Sequence, residues 1–283
     1  KLPGVEVSES GEIAYQGKAI SQFNIEGLDM LGGKYSLATK NIEAKAVNRV
    51  EVMENFQHIK QLQGKEYSDK VAMNLKLKKE AIIKPMGALE LGAGYSPEEW
   101  LYHAGINAMA FKSKYQFMGI VKGNNLGESL RPEFKNHFGT QSVGNTANSL
   151  FSGELASHPP IASKLFWRKD EIISSLNSIV KLNENKTLRM GVDFLRDKSF
   201  NNSVTASSYY LNNEYISLQE ELNPHYDQKR IQGNVNYQVN SNKIYLSNSI
   251  SFGSEQNENQ FFLKSNDDKI QQMRKIIKEE ISV

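Results

Sequence analysis

Five histidines, His58, His103, His137, His158 and His225, are the residues of this chain best suited to metal or general-base chemistry, and their spacing supports neither. None has a second histidine at i+3 or i+4, the separation that sets two ligands on one helix face. With no cysteine in the chain, a zinc site has little support. The run Gly27-Leu28-Asp29-Met30-Leu31-Gly32-Gly33-Lys34-Tyr35-Ser36 has the look of a phosphate loop, but the required spacing puts lysine where Gly33 stands and Ser or Thr where Lys34 stands. It fails as a nucleotide site, and its glycines fit a sharp turn instead. No Ser/His/Asp set or carboxylate pair can be placed in one pocket, so neither enzyme activity nor a cofactor is expected. Arg49 and Glu51 do fall in a useful pattern: as alternate residues of Arg49-Val50-Glu51-Val52 they share a strand face and can ion-pair. What this inventory offers is recognition of polar groups rather than covalent chemistry.

The elements that must position these residues are strands. From Arg230 to Gly253 apolar residues at Ile231, Val235, Tyr237 and Val239 interleave with polar ones, and after Asn240-Ser241-Asn242-Lys243 the alternation resumes at Ile244, Leu246, Ile250 and Phe252. This is a hairpin of two long strands, each with an apolar and a polar face. The same period runs through Leu89–Tyr95, Trp100–Ala108, Tyr115–Val121, Ile172–Leu182 and Leu188–Phe194, making seven strands in all. Tight turns at Phe111–Lys114, Asn183–Lys186 and Asn240–Lys243 alternate with long links at Gly123–Pro160 and Lys198–Asp227. A soluble sandwich has no reason to keep its long loops at one end, whereas a meander through an outer membrane has short turns on one side and long loops on the other. The polar faces carry Glu90, Arg189, Asp193 and Arg230 in mid-strand, which a dry core rejects and a wet lumen accepts. The apolar faces are therefore expected to meet lipid.

Composition is compatible with that. The 283 residues carry a net charge of +2 and are 39% hydrophobic, which gives no reason to expect nucleic acid. No run of 18 apolar residues exists, which excludes a transmembrane helix but not a barrel, since only alternate strand residues face lipid. The texture changes near Lys79-Glu80. Before it, short strand signals at Val5–Val7, Ile13–Tyr15, Phe23–Ile25, Val50–Met53 and Val71–Leu77 surround one short helical stretch, Glu43–Val47, with Asn41 as its expected N-cap.

The segment from Leu2 to Lys60 resembles the plug domain of TonB-dependent outer-membrane transporters of the Bacteroides type. The resemblance is carried by Leu2-Pro3-Gly4-Val5 with Val7, the Gly11-Glu12-Ile13 turn, Gly17-Lys18, Ile25-Glu26-Gly27, Asn41-Ile42 and Arg49-Val50-Glu51-Val52, in the family's order and spacing. Residues 71 to 78 stand where the family has its last plug strand. One stretch departs: Glu54–Lys60 replaces a glycine-rich run. The resemblance implies that the plug occludes a barrel lumen and offers apical turns to a ligand, with Asp29, Met30 and Tyr35 as candidates and Phe56 and His58 beside them. It implies that Arg49 and Glu51 contact the barrel wall. It also implies an inner-membrane energy-coupling protein of the TonB type, whose contact box would precede residue 1, outer-membrane lipid around the barrel, and a polar nutrient ligand, with a surface lipoprotein as a further partner.

The expected organisation is thus mainly β: a small α+β plug domain over residues 1–80, then an antiparallel meander over 81–283 forming the first part of a transmembrane β-barrel. Family barrels close with about 22 strands, so seven strands imply a piece of a longer protein in the outer membrane of a Gram-negative bacterium. It would be a transporter of a glycan, peptide or metal chelate; the alternative is a secreted β-rich ligand-binding or adhesin module. Arg placed at Val192 or Val235 should be costly, and Arg at Asp193 or Asn234 mild. At the C-terminus, Ile270, Met273, Ile276, Ile277 and Ile281 have the spacing of an amphipathic helix over 267–283, while the resemblance places the segment in an external loop leading to the next strand, so the sequence leaves helix or loop open.

Overall fold

A computed structural model describes residues 3–8, 11–97, 99–137, 168–211, 214–265 and 271–282. The N-terminal part builds two three-stranded sheets. Strands β1 (Val5–Val7), β2 (Ile13–Tyr15) and β3 (Lys18–Ala19) form an antiparallel meander. Strands β4 (Gln22–Ile25), β5 (Val47–Met53) and β6 (Ala72–Leu77) form the second sheet, in which β6 is central, parallel to β4 and antiparallel to β5. Helix α1 (Ser36–Asn41) and a 3-10 turn at Ala44–Ala46 make the crossover from β4 to β5. Asn41 is the last residue of α1 rather than an N-cap: its Nδ2 donates to Leu37 O at 2.8 Å, and Glu43 precedes the 3-10 turn. Phe23, Ile25, Met30, Tyr35, Leu37, Met73 and Leu77 fill the interior of this unit.

After α2 (Lys79–Ile83) the described residues form a mainly β antiparallel meander of nine strands, open at both edges among those residues. They are β7 (Met86–Tyr95), β8 (Trp100–Phe111), β9 (Tyr115–Asn124), β10 (Arg168–Asn183), β11 (Lys186–Phe200), β12 (Ser203–Leu211), β13 (Glu214–Asn240), β14 (Tyr245–Ser265) and β15 (Gln271–Ser282). Two of the nine were not expected. Lys198–Asp227 is not a loop: β12 continues the line of β11, and both pair with the 27-residue β13, so Ser203↔Leu222 follows Phe200↔His225. Nor is the C-terminal segment a helix, because Gln271–Ser282 pairs along β14 from Gly253↔Ser282 to Lys264↔Gln271. The edge of β14 offers a ladder of backbone partners that outweighs a helical spacing of side chains. The long link between β9 and β10 is described as far as His137 and contains a 3-10 turn at Arg131–Phe134.

The two faces of the large sheet differ in kind. Leu89, Leu91, Ile106, Val121, Leu176, Val192, Ile231, Ile250 and Phe252 are exposed. Their neighbours of opposite parity, Asn107, Gln116, Lys122, Ser175, Asn177 and Asp197, are buried. This buried face, which also carries Met109, Phe111, Met118, Ile120, Ile173, Ile179 and Leu195, lies against the N-terminal unit. An apolar exposed face over an interior that mixes polar and charged with apolar side chains is unlike a soluble sheet, whose exposed face is the polar one. Among the described residues, no helix is long and apolar enough to cross a membrane.

Candidate functional site

The seam between the N-terminal unit and the polar sheet face gathers most of the long-range polar contacts, and the 27–36 turn is at its centre. Gly27 and Gly32 have φ of 81° and 58°, conformations that favour glycine. Asp29 Oδ1 accepts a hydrogen bond from Gly32 N at 2.8 Å and closes the turn. Its other oxygen is 3.0 Å from Arg189 Nη1 of β11, which also donates to Asp29 O at 3.2 Å. A Cβ on Gly32 would stand 3.2 Å from the same Nη1, so glycine there gives the guanidinium its place.

Lys34 reaches deeper. Its Nζ donates to Asp193 Oδ2 at 2.7 Å and to Asn177 Oδ1 at 3.2 Å. Ser175 Oγ donates to Asp193 Oδ1 at 2.6 Å, and Asn177 Nδ2 to Ser175 Oγ at 2.7 Å. The four side chains form a closed hydrogen-bonded ring on the buried face, each charge matched. Gln116 Nε2 of β9 donates to Ile25 O at 2.7 Å nearby.

The long link folds over the same unit. His137 N donates to Gly33 O at 2.9 Å, its ring stacks on Tyr35 at 4.6 Å, and its Nε2 is 2.8 Å from Ser36 Oγ. Glu133 accepts from Asn41 Nδ2 at 3.2 Å and is 3.0 Å from Lys122 Nζ. Arg131 bridges to Asp197 at 2.6 Å and Glu171 at 3.4 Å. Burial pushes the His137 imidazole below its ordinary value, helped by Lys135 and opposed by Glu12.

The structure spreads the expected ligand residues rather than gathering them. Met30 and Tyr35 are buried in the N-terminal core; Tyr35 Oη accepts from Ile13 N at 3.0 Å, and burial raises its phenol. Asp29 keeps a partly accessible carboxylate. Phe56 and His58 lie toward the short-turn end. His58 Nδ1 donates to Gln22 Oε1 at 2.8 Å, and its Nε2 accepts from Gln238 Nε2 at 2.6 Å, which fixes the Nδ1–H tautomer. Asn240 Nδ2 donates to His58 O at 2.8 Å. Burial lowers the His58 pKa, with Asp29 opposing and Arg189 and Lys70 adding to the shift. Arg49 and Glu51 pair with each other at 2.7 Å, and Glu51 also accepts from Asn74 Nδ2 at 2.7 Å, which holds its carboxyl low; these are contacts within the N-terminal unit. Among the contacts with the sheet are those of His58 and those of Asp29 and Lys34, the last two with partners 160 and 159 residues away. No local spacing could reveal them.

Of the histidines, His103 lies 3.3 Å from Glu90 and His225 stacks on Phe200, while His158 falls outside the described residues. Among the described residues no group of His, Asp and Glu converges as a metal site. A groove of about 400 Å³ between the N-terminal unit and β7–β8, lined by Asn41, Glu43, Met86 and Asn107 among others, contains none of the five expected ligand residues.

No protein-family model matches the chain, and no curated protein matches it. Among solved structures it is similar to the alcaligin outer-membrane receptor FauA from Bordetella pertussis, at 9% identity and a TM-score of 0.25, over 98% of this chain and 46% of that one. The chain therefore spans about half the length of that receptor. A TM-score of 0.25 is too low to establish a shared fold.

Proposed function

We propose that the chain is the plug and part of the barrel wall of an outer-membrane active transporter that takes up a polar nutrient such as a glycan, peptide or metal chelate. One observation supports this: the exposed face of the nine-stranded sheet is apolar over its middle, while the face turned to the N-terminal unit buries hydrogen-bonded polar and charged side chains, Lys122, Asn177 and Asp197 among them, between apolar ones such as Phe111 and Ile173. Outward positions Leu188, Met190, Val192 and Phe194 of β11 span six residue steps, roughly 20 Å of strand, close to the ~25 Å apolar band of outer-membrane barrels. Tyr95 and Trp100, in edge-to-face contact at 5.3 Å, stand at one margin of the sheet and Tyr115 at the other, as aromatic girdles do.

On this reading the N-terminal unit plugs the lumen. The nutrient is held where the long link folds over it, with Asp29 as the ligand-facing residue of the 27–36 turn and Met30 and Tyr35 supporting that turn from beneath. A TonB-type coupling protein would pull on the plug and break the seam without covalent chemistry.

These 283 residues hold no cysteine, so single cysteines placed here meet no competing thiol within this part of the protein. Single cysteines at Val192 or Val235 and at Gln232 or Asn234, labelled with an environment-sensitive dye in the full-length protein, report which face meets lipid. A lipid-phase quencher should act on the first pair alone. Equal labelling of all four by a water-soluble maleimide in membranes would favour a secreted β-rich binding module instead.

A further inference from the structure

Beyond the apolar band, the outward face of the sheet changes character within one row of residues. Outward positions of β11 run Leu188, Met190, Val192 and Phe194, then Arg196 and Lys198; those of β13 run Val235, Gly233 and Ile231, then Lys229 and Asp227. Arg196 and Lys229 are direct cross-strand partners, and Ile172 faces Arg196 from β10. Like charges set opposite one another on a sheet repel, yet no acidic side chain pairs with either among the described residues, and Arg196 Nε is buried with no hydrogen-bond partner.

The acids of this collar are engaged elsewhere. Asp170 Oδ1 accepts from Tyr102 Oη at 2.5 Å, Asp227 is 3.5 Å from Lys198, and Glu258 accepts from Gln260 Nε2 at 2.8 Å. Tyr102 reaches Asp170 across Gly123, where a Cβ would stand 3.7 Å from the ring. Arg168 lies over the Phe200 ring at 5.5 Å. Cations, aromatic rings and an apolar row directly beneath them are what the boundary between hydrocarbon and headgroups selects.

We propose that Arg196 and Lys229 hold a phosphate-bearing lipid headgroup, whose acyl chains run down the apolar band past Phe194 and Ile231. The inference rests on the membrane reading above. Phosphate fits the pair because a guanidinium fork grips two of its oxygens and an ammonium supplies a second point charge. It fits the height because a lipid phosphate sits just above the hydrocarbon, as these residues sit just above Phe194 and Ile231. A soluble anion would have no use for the apolar row.

The test uses the full-length protein in neutral detergent, titrated with bis-phosphorylated lipid A and with the same lipid stripped of phosphate, and read by native mass spectrometry. Each basic group at a membrane surface is worth roughly fivefold in binding, so R196Q/K229Q should weaken lipid A binding by about tenfold or more. K243Q, a charge lost from the Asn240–Lys243 turn, should leave it unchanged. The stripped lipid should bind the native protein as weakly as lipid A binds the double variant, and millimolar inorganic phosphate should not compete. Heat-modifiable migration on gels checks folding, and K229Q alone, an exposed position, gives the comparison at roughly fivefold if the double variant misfolds. Equal lipid A binding by native and variant protein, or displacement by inorganic phosphate, would overturn the headgroup site while leaving the membrane reading intact. Failure of the native protein to insert into phosphatidylcholine discs would overturn both.

Discussion

Lys34 Nζ lies 2.7 Å from Asp193 Oδ2, with both side chains only about one-eighth exposed, at 12% and 13%. This pair ties the 27–36 turn to the middle of β11. Removing one partner strands the other in a desolvated place, so K34M or D193N should each weaken docking of the N-terminal unit by roughly 2–4 kcal/mol. The double variant should cost less than the sum of the two. Hydrogen exchange of residues 13–53 in the full-length protein is the measurement, and additive losses would show that the pair is not coupled.

Strand parity gives the second prediction. On the proposed membrane reading, V192R and V235R place a charge on the lipid-facing apolar face and should cost about 2–4 kcal/mol near the bilayer midplane, whereas Q232R, on the opposite face, should be nearly neutral. Asp193 does not serve as a mild control, because it holds Lys34. Yield of heat-modifiable folded protein in the outer membrane reads the difference.

The third concerns acid. His58 and His137 both have pKa values lowered from 6.5, chiefly by burial, so the unfolded or undocked chain binds protons more readily than the docked one. Their contribution is therefore full above about pH 6.5 and is lost as pH falls through the lowered values. At His58 a proton on Nε2 would face the Gln238 amide nitrogen that now donates to it. Proteolytic release of the N-terminal unit should rise from pH 7 to pH 5 in the native protein, and H58Q should flatten part of that rise. A rise unchanged in H58Q would assign the effect to His137 alone.

The fourth concerns two glycines in left-handed conformations. Gly11 has φ of 83°, and a Cβ there would meet Ser36 Oγ at 2.4 Å; Gly17 has φ of 78° with nothing within 4 Å. G17A should cost only backbone strain, roughly 1–3 kcal/mol. G11A should cost more, because it also displaces the Ser36 hydroxyl from His137. Denaturation midpoints of the two variants, compared side by side, test the difference.

Legibility in the sequence followed periodicity. The strands with one buried and one exposed face, such as β8, β10 and β11, announce themselves by alternation, and the alternation also gave the direction of the apolar face. β12 did not, for a physical reason: Ser203-Val204-Thr205-Ala206-Ser207-Ser208-Tyr209-Tyr210 forms part of a ribbon largely exposed on both faces, so nothing selects a two-residue period. The helix at Ser36–Asn41 was hidden because it is shorter than two turns and follows a glycine pair. Met30 and Tyr35 read as exposed turn residues, but the Gly32-Gly33 bend folds them inward, where Tyr35 stacks on Phe23 at 5.6 Å. Lys34 carried no signal, since its partners are on strands that only the tertiary fold brings near.

The meander has a consequence for assembly. Every strand from β7 to β15 pairs with sequence neighbours, apart from the step of β11 past β12 to β13, so ladder closure never requires distant ends to meet. Pairing of neighbours lets most of the sheet zip one hairpin at a time at a small loop-entropy cost, the β9–β10 step across the long link being the costlier one. The seam is different, because Lys34 and Asp29 wait for β11, about 160 residues further along the chain. The N-terminal unit must therefore be present, and its charged turn unpaired, while the first strands form. On the proposed transporter reading, a barrel wall would acquire its filling as it is laid down, and no folded domain need be threaded into a finished ring.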